Sequence, residues 1–207
     1  MPLKDSVERE HLHTRSVECF GFRRSDGLWD VEAHLLDTKT YDFANEHRGG
    51  RIEAGEALHR MGLRVTLDLD FMIHDIEAVS DDTPFGVCNG AEQAMKRLVG
   101  LTIGPGWMSR VKKRIESNQG CTHLVELLGP LATTAYQTLH PEIERRANAA
   151  PSRSRPRILD TCIALSTKGE VVKEHWPQFY AGPGGVDEKR EADAAPEDTL
   201  SPPGREG

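Results

Sequence analysis

Residues 16–24, SVECFGFRR, and 28–36, LWDVEAHLL, flank Ser25-Asp26-Gly27. Two extended runs joined by a short Asp-Gly segment are a strong local signal for a β-hairpin, because glycine supplies the positive φ that such turns need. In the second run Trp29, Val31, Ala33 and Leu35 alternate with Asp30, Glu32 and His34. That period of two describes an antiparallel strand with one face in a core and the other in water. A second hairpin follows. Leu63, Val65 and Leu67 alternate with Arg64, Thr66 and Asp68, a turn falls near Asp68–Asp70, and Met72–Val79 returns. Two hairpins predict a four-stranded antiparallel sheet.

The period then changes to that of helices. Ala91, Met95, Leu98 and Val99 share one helical face, with Asn89 placed as an N-cap. Trp107, Val111 and Ile115 fit a second helix. Leu124, Leu128, Leu131 and Ala135 fit a third, widened by Val125, Ala132 and Tyr136, and Pro130 predicts a kink in it. Strands followed by helices give an α+β class, with three helices covering one face of the sheet. Residues 42–57 are polar and glycine-rich and read as a loop.

The α+β core is expected over residues 1–140. Residues 141–157, rich in Pro, Ala, Ser and Arg, read as a linker, and residues 158–180 regain apolar content and are expected to dock on the core. Residues 181–207 have the composition of a disordered acidic tail. The net charge of −7 argues against a dedicated nucleic-acid binder. The basic clusters at Arg110, Lys112, Lys113 and Arg114 and at Arg145, Arg146, Arg153, Arg155 and Arg157 lack the interleaved aromatics of a single-strand binding surface. No apolar run approaches the ~18–20 residues that span a bilayer, and MPLKDSVEREHLHTR has no apolar signal core. These features lead to the expectation of a cytoplasmic protein whose four cysteines stay reduced.

Candidate chemistry centres on "NQGCTHLVELLGPLATTAY", where Cys121 and His123 open an apolar helix. A helix start presents free amide donors and the positive end of the peptide dipoles, and both favour a thiolate, the form that binds metal. Cys88 occupies an equivalent place before the first helix, and His59 precedes the strand at Leu63. If the two helix starts converge, His59, Cys88, Cys121 and His123 form a set of two sulfurs and two nitrogens suited to zinc or iron. The spacing lacks paired C-x-x-C knuckles, so the alternative stands beside it: Cys121 and His123 as the first buried residues of a core helix.

Other constellations are weighed in the same way. Asp30 and Glu32 share a strand face and are candidates for proton transfer, together with Asp82; the rival readings are an ion-pair face with Arg23 and Arg24 for the first two, and a loop and cap for Asp82 with Asp81. His11 and His13 in "HLHTR" could ligate at i, i+2 on a strand, against an exposed N-terminal segment. "IGPGW" lacks the Lys-Ser/Thr of a phosphate loop and reads as a turn. Cys162 in "LDTCIAL" is expected to be buried.

The stretches "GFRRSDGLWDVEAHLLDTKTYDF", "LHRMGLRVTLD", "LVGLTIGPGW" and "GCTHLVELLGPLATTAYQ" resemble a bacterial family of unknown function, domain-of-unknown-function 2889, over roughly residues 8–180. That resemblance implies a cytoplasmic bacterial protein and brings no activity. From Leu63 onward the layout is also similar to NifU-type iron–sulfur scaffold proteins. By that likeness Cys88 and Cys121 match the second and third scaffold cysteines, and His123 lies close to the adjoining histidine. The scaffold's Cys-Gly-Asp motif is absent, and "ALHRMG" supplies only His59. The expected function is a small metal-binding protein, with zinc- or iron-dependent hydrolase or lyase chemistry on a small molecule open to it. The alternatives are a non-catalytic iron–sulfur or sulfur-transfer scaffold and a metal-free enzyme or interaction module. Nucleic acid and membrane are not expected partners.

Overall fold

The computed structural model describes residues 4, 6–116, 118–149, 155, 156 and 158–183. The chain divides into two compact units, residues 1–150 and 151–207. In the first, β1 (His13–Arg23), β2 (Trp29–Lys39), β5 (Ala57–Leu67) and β6 (Ile73–Asp82) form an antiparallel sheet in the order β1-β2-β5-β6. The two expected hairpins are its outer pairs. The turn at Ser25-Asp26-Gly27 places Gly27 at φ 87°, the left-handed region that glycine tolerates. The second turn is organised by Asp68, whose Oδ1 accepts hydrogen bonds from the amides of Asp70 and Met72.

One sheet face is apolar and covered. Val31, Ala33 and Leu35 on β2, Leu63, Val65 and Leu67 on β5, and Ile73 and Ile76 on β6 are buried in one core with α1 (Glu92–Met95), α2 (Trp107–Arg114) and α3 (Thr122–Ala149). Met95, Trp107, Val111, Leu124, Leu127, Leu128, Leu131, Ala135 and Leu139 are the helical contribution. This is the α+β arrangement that the switch from period two to period 3.6 predicts. The other face carries Asp30 and Glu32 beside half-exposed Phe20 and Phe22.

Three local expectations change. Residues 42–57 contain a small hairpin, β3 (Phe43–Asn45) and β4 (Gly50–Ile52), in addition to loop. Its strands have three residues each, too short for periodicity to register, and an Asp42–Arg51 ion pair supports it. Asn89 does not cap α1: it lies inside a 3-10 turn (Gly86–Ala91) that runs into the short helix. The third helix continues through both Pro130 and Pro141 to Ala149, so residues 141–149 are helical where composition predicts linker.

The second unit is described over residues 155, 156 and 158–183. It holds α4 (Glu170–His175), with Val172 and Leu159 buried. Asp160 Oδ1 accepts from the Thr167 amide at 2.8 Å. Cys162, expected to be buried, is exposed. Residues 184–207, most of the expected acidic tail, lie outside the described residues, as do residues 150–154 and 157 of the expected linker.

Gly21 fixes how closely α3 approaches β1. A Cβ there would stand 1.8 Å from Thr138 Oγ1 and 2.7 Å from Thr138 Cβ. Gly21→Ala is therefore expected to destabilise the fold by roughly 1–3 kcal/mol through overpacking. Adding Thr138→Ala, which removes the nearest atom, should restore part of the loss. Urea denaturation of the single and double variants measures both effects.

Candidate functional site

On β2 the inward positions run Trp29, Val31, Ala33 and Leu35, all at most 5% exposed. The next inward position is Asp37, at 1% exposure. A carboxylate in that place requires compensation, because an unpaired buried charge costs several kcal/mol. The sheet register supplies it from both sides: Arg15 on β1 and His59 on β5 are the direct cross-strand neighbours of Asp37. The Arg15 guanidinium forks onto the carboxylate, with Nε to Oδ1 and Nη2 to Oδ2 both at 2.8 Å. His59 Nδ1 lies 3.0 Å from Oδ2, and His13 Nε2 lies 3.2 Å from Oδ1. A register shift in the β2–β5 pairing follows immediately, since Thr38 pairs with Ala57. It leaves Leu58 as the extra residue and closes the row at the sheet's end.

The first turn of α3 completes the group. Cys121 carries the carbonyl that starts the helix, accepting from the Val125 amide at 3.0 Å. Two residues on, His123 brings Nε2 to 3.9 Å from Asp37 Oδ2, and its ring centroid lies 3.9 Å from that of His59. Glu126, one turn further, takes the remaining Arg15 Nη1 at 2.5 Å. Arg15 thus ties α3 to the strand row through two carboxylates. Among the described residues, Asp37, His59 and His123 form a group whose ligand atoms all lie within 4.8 Å of one another.

Electrostatics set the protonation of this group. Burial by itself raises the Asp37 carboxyl, but the hydrogen bonds and charge of Arg15, with the contribution of His59, outweigh it and hold Asp37 below the usual carboxylate range. Asp37 in turn raises the Arg15 guanidinium. Burial and the neighbouring His123 push His59 down, only partly offset by Asp37. Burial and Arg15 push His123 down, against the opposing pull of Asp37 and Glu126. At neutral pH the arrangement is an ionised carboxylate beside two neutral imidazoles. Those are the forms in which such groups ligate metals; an imidazole oriented by a carboxylate can also accept a proton.

The expected site residues divide. His59 and His123 meet, and Cys121 adjoins them, with Sγ 3.8 Å from His123 Nδ1. Cys88 lies in the 3-10 turn Gly86–Ala91 and is not part of the three-residue group. Asp30, Glu32 and Asp82 sit at the alternate register positions, facing away from Asp37. Asp30 accepts from Thr66 Oγ1 at 2.7 Å and Arg24 at 3.2 Å. Glu32 stands 3.6 Å from His34 and 3.8 Å from Arg64. Asp82 pairs with Arg48 at 3.4 Å and Arg60 at 3.2 Å. Of the His11/His13 pair, His13 reaches Asp37, whereas His11 Nε2 stands 3.0 Å from the His13 carbonyl. Sequence reasoning missed Asp37 and Arg15. The signal for Asp37 was present: it extends the inward stripe of β2 by one step.

The molecule is thus an α+β domain with a carboxylate–histidine cluster where the sheet's end meets a helix start. Over residues 13–137 the chain matches the family described as "Protein of unknown function (DUF2889)", and it belongs to that family. The matched span holds Arg15, Asp37, His59, Cys121, His123 and Glu126. No curated protein and no solved structure gives a significant match. Among the described residues no helix is long and apolar enough to cross a membrane.

Two outcomes follow from the buried pair and the depressed histidines. Arg15→Leu strands a buried carboxylate. Because Arg15 is 31% exposed, the loss should be about 2–4 kcal/mol, towards the lower part of the range for fully buried pairs. Arg15→Leu with Asp37→Leu should recover most of it in chemical denaturation, since an apolar pair leaves no charge unpaired. Acidification should also destabilise the fold. The unfolded chain takes up protons near the ordinary histidine value of about 6.5, which folded His59 and His123 resist, so the melting temperature falls as pH drops through that value. Asp37 adds a second loss at lower pH, as its own depressed value is reached. Melting curves from pH 7.5 downwards should show a shallower first decline in a His59→Gln/His123→Gln variant.

Proposed function

We propose that this chain is a metal-binding protein in which Asp37, His59 and His123 hold a divalent transition ion, zinc or iron. The observation that carries the reading is the convergence of one carboxylate and two imidazoles, from two strands and a helix start, within 4.8 Å. A tetrahedral ion with bonds of about 2.0–2.1 Å to nitrogen and oxygen sets its ligands about 3.3 Å apart. The separations of 3.0 Å and 3.9 Å from Asp37 Oδ2 bracket that value. The Arg15 fork is compatible with ligation, because a carboxylate offers about four lone-pair directions and Arg15 uses two. It then serves as the outer partner that orients a ligating carboxylate.

Three protein ligands leave a position for water or substrate, which is the requirement for hydrolase or lyase chemistry on a small molecule. The iron–sulfur scaffold alternative draws on Cys88 together with Cys121. A mononuclear site is favoured over it because the converging donors are two nitrogens and a carboxylate oxygen, whereas clusters are held chiefly by thiolates.

Metal analysis of protein purified anaerobically without chelator tests the proposal. The wild type should carry, or take up on titration, about one equivalent of zinc or iron. His59→Ala/His123→Ala and Asp37→Asn should lose it while remaining folded by circular dichroism. Wild-type protein that holds no metal and gains none from added zinc or ferrous ion defeats the reading.

A further inference from the structure

Cys121 faces a second set of donors. Its Sγ lies 3.9 Å from Met61 Sδ and 3.8 Å from His123 Nδ1. These atoms come from two places in the sequence that the fold brings together: the inward face of β5, which carries Met61, and the start of α3, which carries Cys121 and His123. Met61 is 2% exposed and belongs to the hydrophobic core, and Cys121 packs against that core. We propose that Met61, Cys121 and His123 form a site for a soft monovalent metal ion, copper(I) in the first instance. It lies beside the Asp37 centre and is chemically distinct from it.

Three arguments lead there. The first is distance. An ion about 2.3 Å from sulfur and about 2.0 Å from nitrogen, at angles of about 110–120°, places sulfur from sulfur at about 3.8–4.0 Å and sulfur from nitrogen at about 3.5–3.7 Å. The observed separations lie within about 0.1 Å of those ranges. The second is donor type. A thiolate, a thioether and an imidazole are the ligands that select copper(I) over magnesium, calcium or manganese. The third is charge. A monovalent ion on one thiolate, with neutral Met61 and His123, adds no net charge to an apolar surrounding, whereas a divalent ion would leave one positive charge uncompensated there. Binding replaces the thiol proton of Cys121, which passes to bulk water, and no electron is transferred.

The two centres use opposite nitrogens of His123: Nε2 faces Asp37 and Nδ1 faces Cys121. A neutral imidazole has one nitrogen free as an acceptor and a proton on the other. Each centre therefore requires its own tautomer of His123, so the soft-metal site is tested on protein freed of divalent metal. It does not depend on the proposed function, because Asp37 and His59 are not among its donors.

The test is anaerobic titration of the full chain with copper(I) against a chromophoric copper(I) chelator, read by competition and by near-ultraviolet thiolate-to-copper absorption. Wild-type protein should bind one equivalent with that absorption. Cys121→Ser, which keeps Cys19, Cys88 and Cys162, should lose the absorption and weaken binding by more than the ~10–100-fold that loss of a supporting residue costs. Met61→Leu conserves volume and should weaken binding at least about tenfold, with its melting temperature within a few degrees of wild type. Asp37→Asn should abolish zinc or iron uptake and still bind one equivalent of copper(I) with the thiolate absorption, which separates failure of one centre from failure of the other. Because His123 Nε2 faces Asp37, the variant's copper(I) affinity should fall by no more than the ~10–100-fold that loss of a supporting residue costs. Wild-type affinity in Met61→Leu, or an intact copper(I)–thiolate band in Cys121→Ser, overturns the proposal.

Discussion

A carboxylate at the last inward position of a buried strand is the constraint on which this structure turns. Asp37 follows Trp29, Val31, Ala33 and Leu35 along one face of β2 and is as inaccessible as they are. Left unpaired it would oppose folding, since an ionised group removed from water loses solvation that apolar neighbours cannot replace. The Arg15 fork restores it with two charge-assisted hydrogen bonds in the planar geometry that guanidinium and carboxylate share. Arg15 then reaches Glu126 on α3 with its remaining Nη1. One ion-paired group therefore links β1 to β2, contacts His59 on β5 and ties both strands to the start of α3.

The consequences extend along α3. The helix is held at its start by the Arg15–Glu126 contact and, further along, approaches β1 so closely that Gly21 has no room for a side chain beside Thr138. Between these points Leu124, Leu127, Leu128, Leu131 and Ala135 fill the space above the sheet. Packing at native density leaves little freedom for such a helix to slide. The imidazole of His123 and the thiol of Cys121 are consequently delivered to fixed places by the same packing that builds the core. The clustered groups sit where the apolar stripe of the sheet gives way to polar residues, which lets them be largely buried without being sealed off.

Part of the site was legible in the residues. His59 and His123 stand out as histidines at the start of an apolar strand and an apolar helix, and Cys121 shares the helix start; all three lie at or beside the cluster. The same rule points to Cys88, which lies in the turn Gly86–Ala91 and is not part of the three-residue group. The rule relies on a helix beginning at Asn89, whereas the α-helical turn begins at Glu92, after a 3-10 segment. Asp30 and Glu32, neighbouring acids on one strand face, occupy the face opposite Asp37 and belong to ion pairs and hydrogen bonds there. Asp37 was readable in principle, since it keeps the parity of Leu35. Nothing in the residues of β1 alone marks Arg15 as its partner.

Period and turn chemistry in the sequence determined the two hairpins, the antiparallel sheet and the helical second half, because alternation and helical repeats reflect which side of each element meets the core. These are local properties, written within a dozen residues. The cross-strand row Arg15–Asp37–His59, and the arrival of His123 and Cys121 beside it, were decided by the tertiary structure. They depend on strand register across three segments and on where one helix lands. Both are settled by packing and by the need to compensate a buried charge, over sequence separations that no periodic pattern encodes.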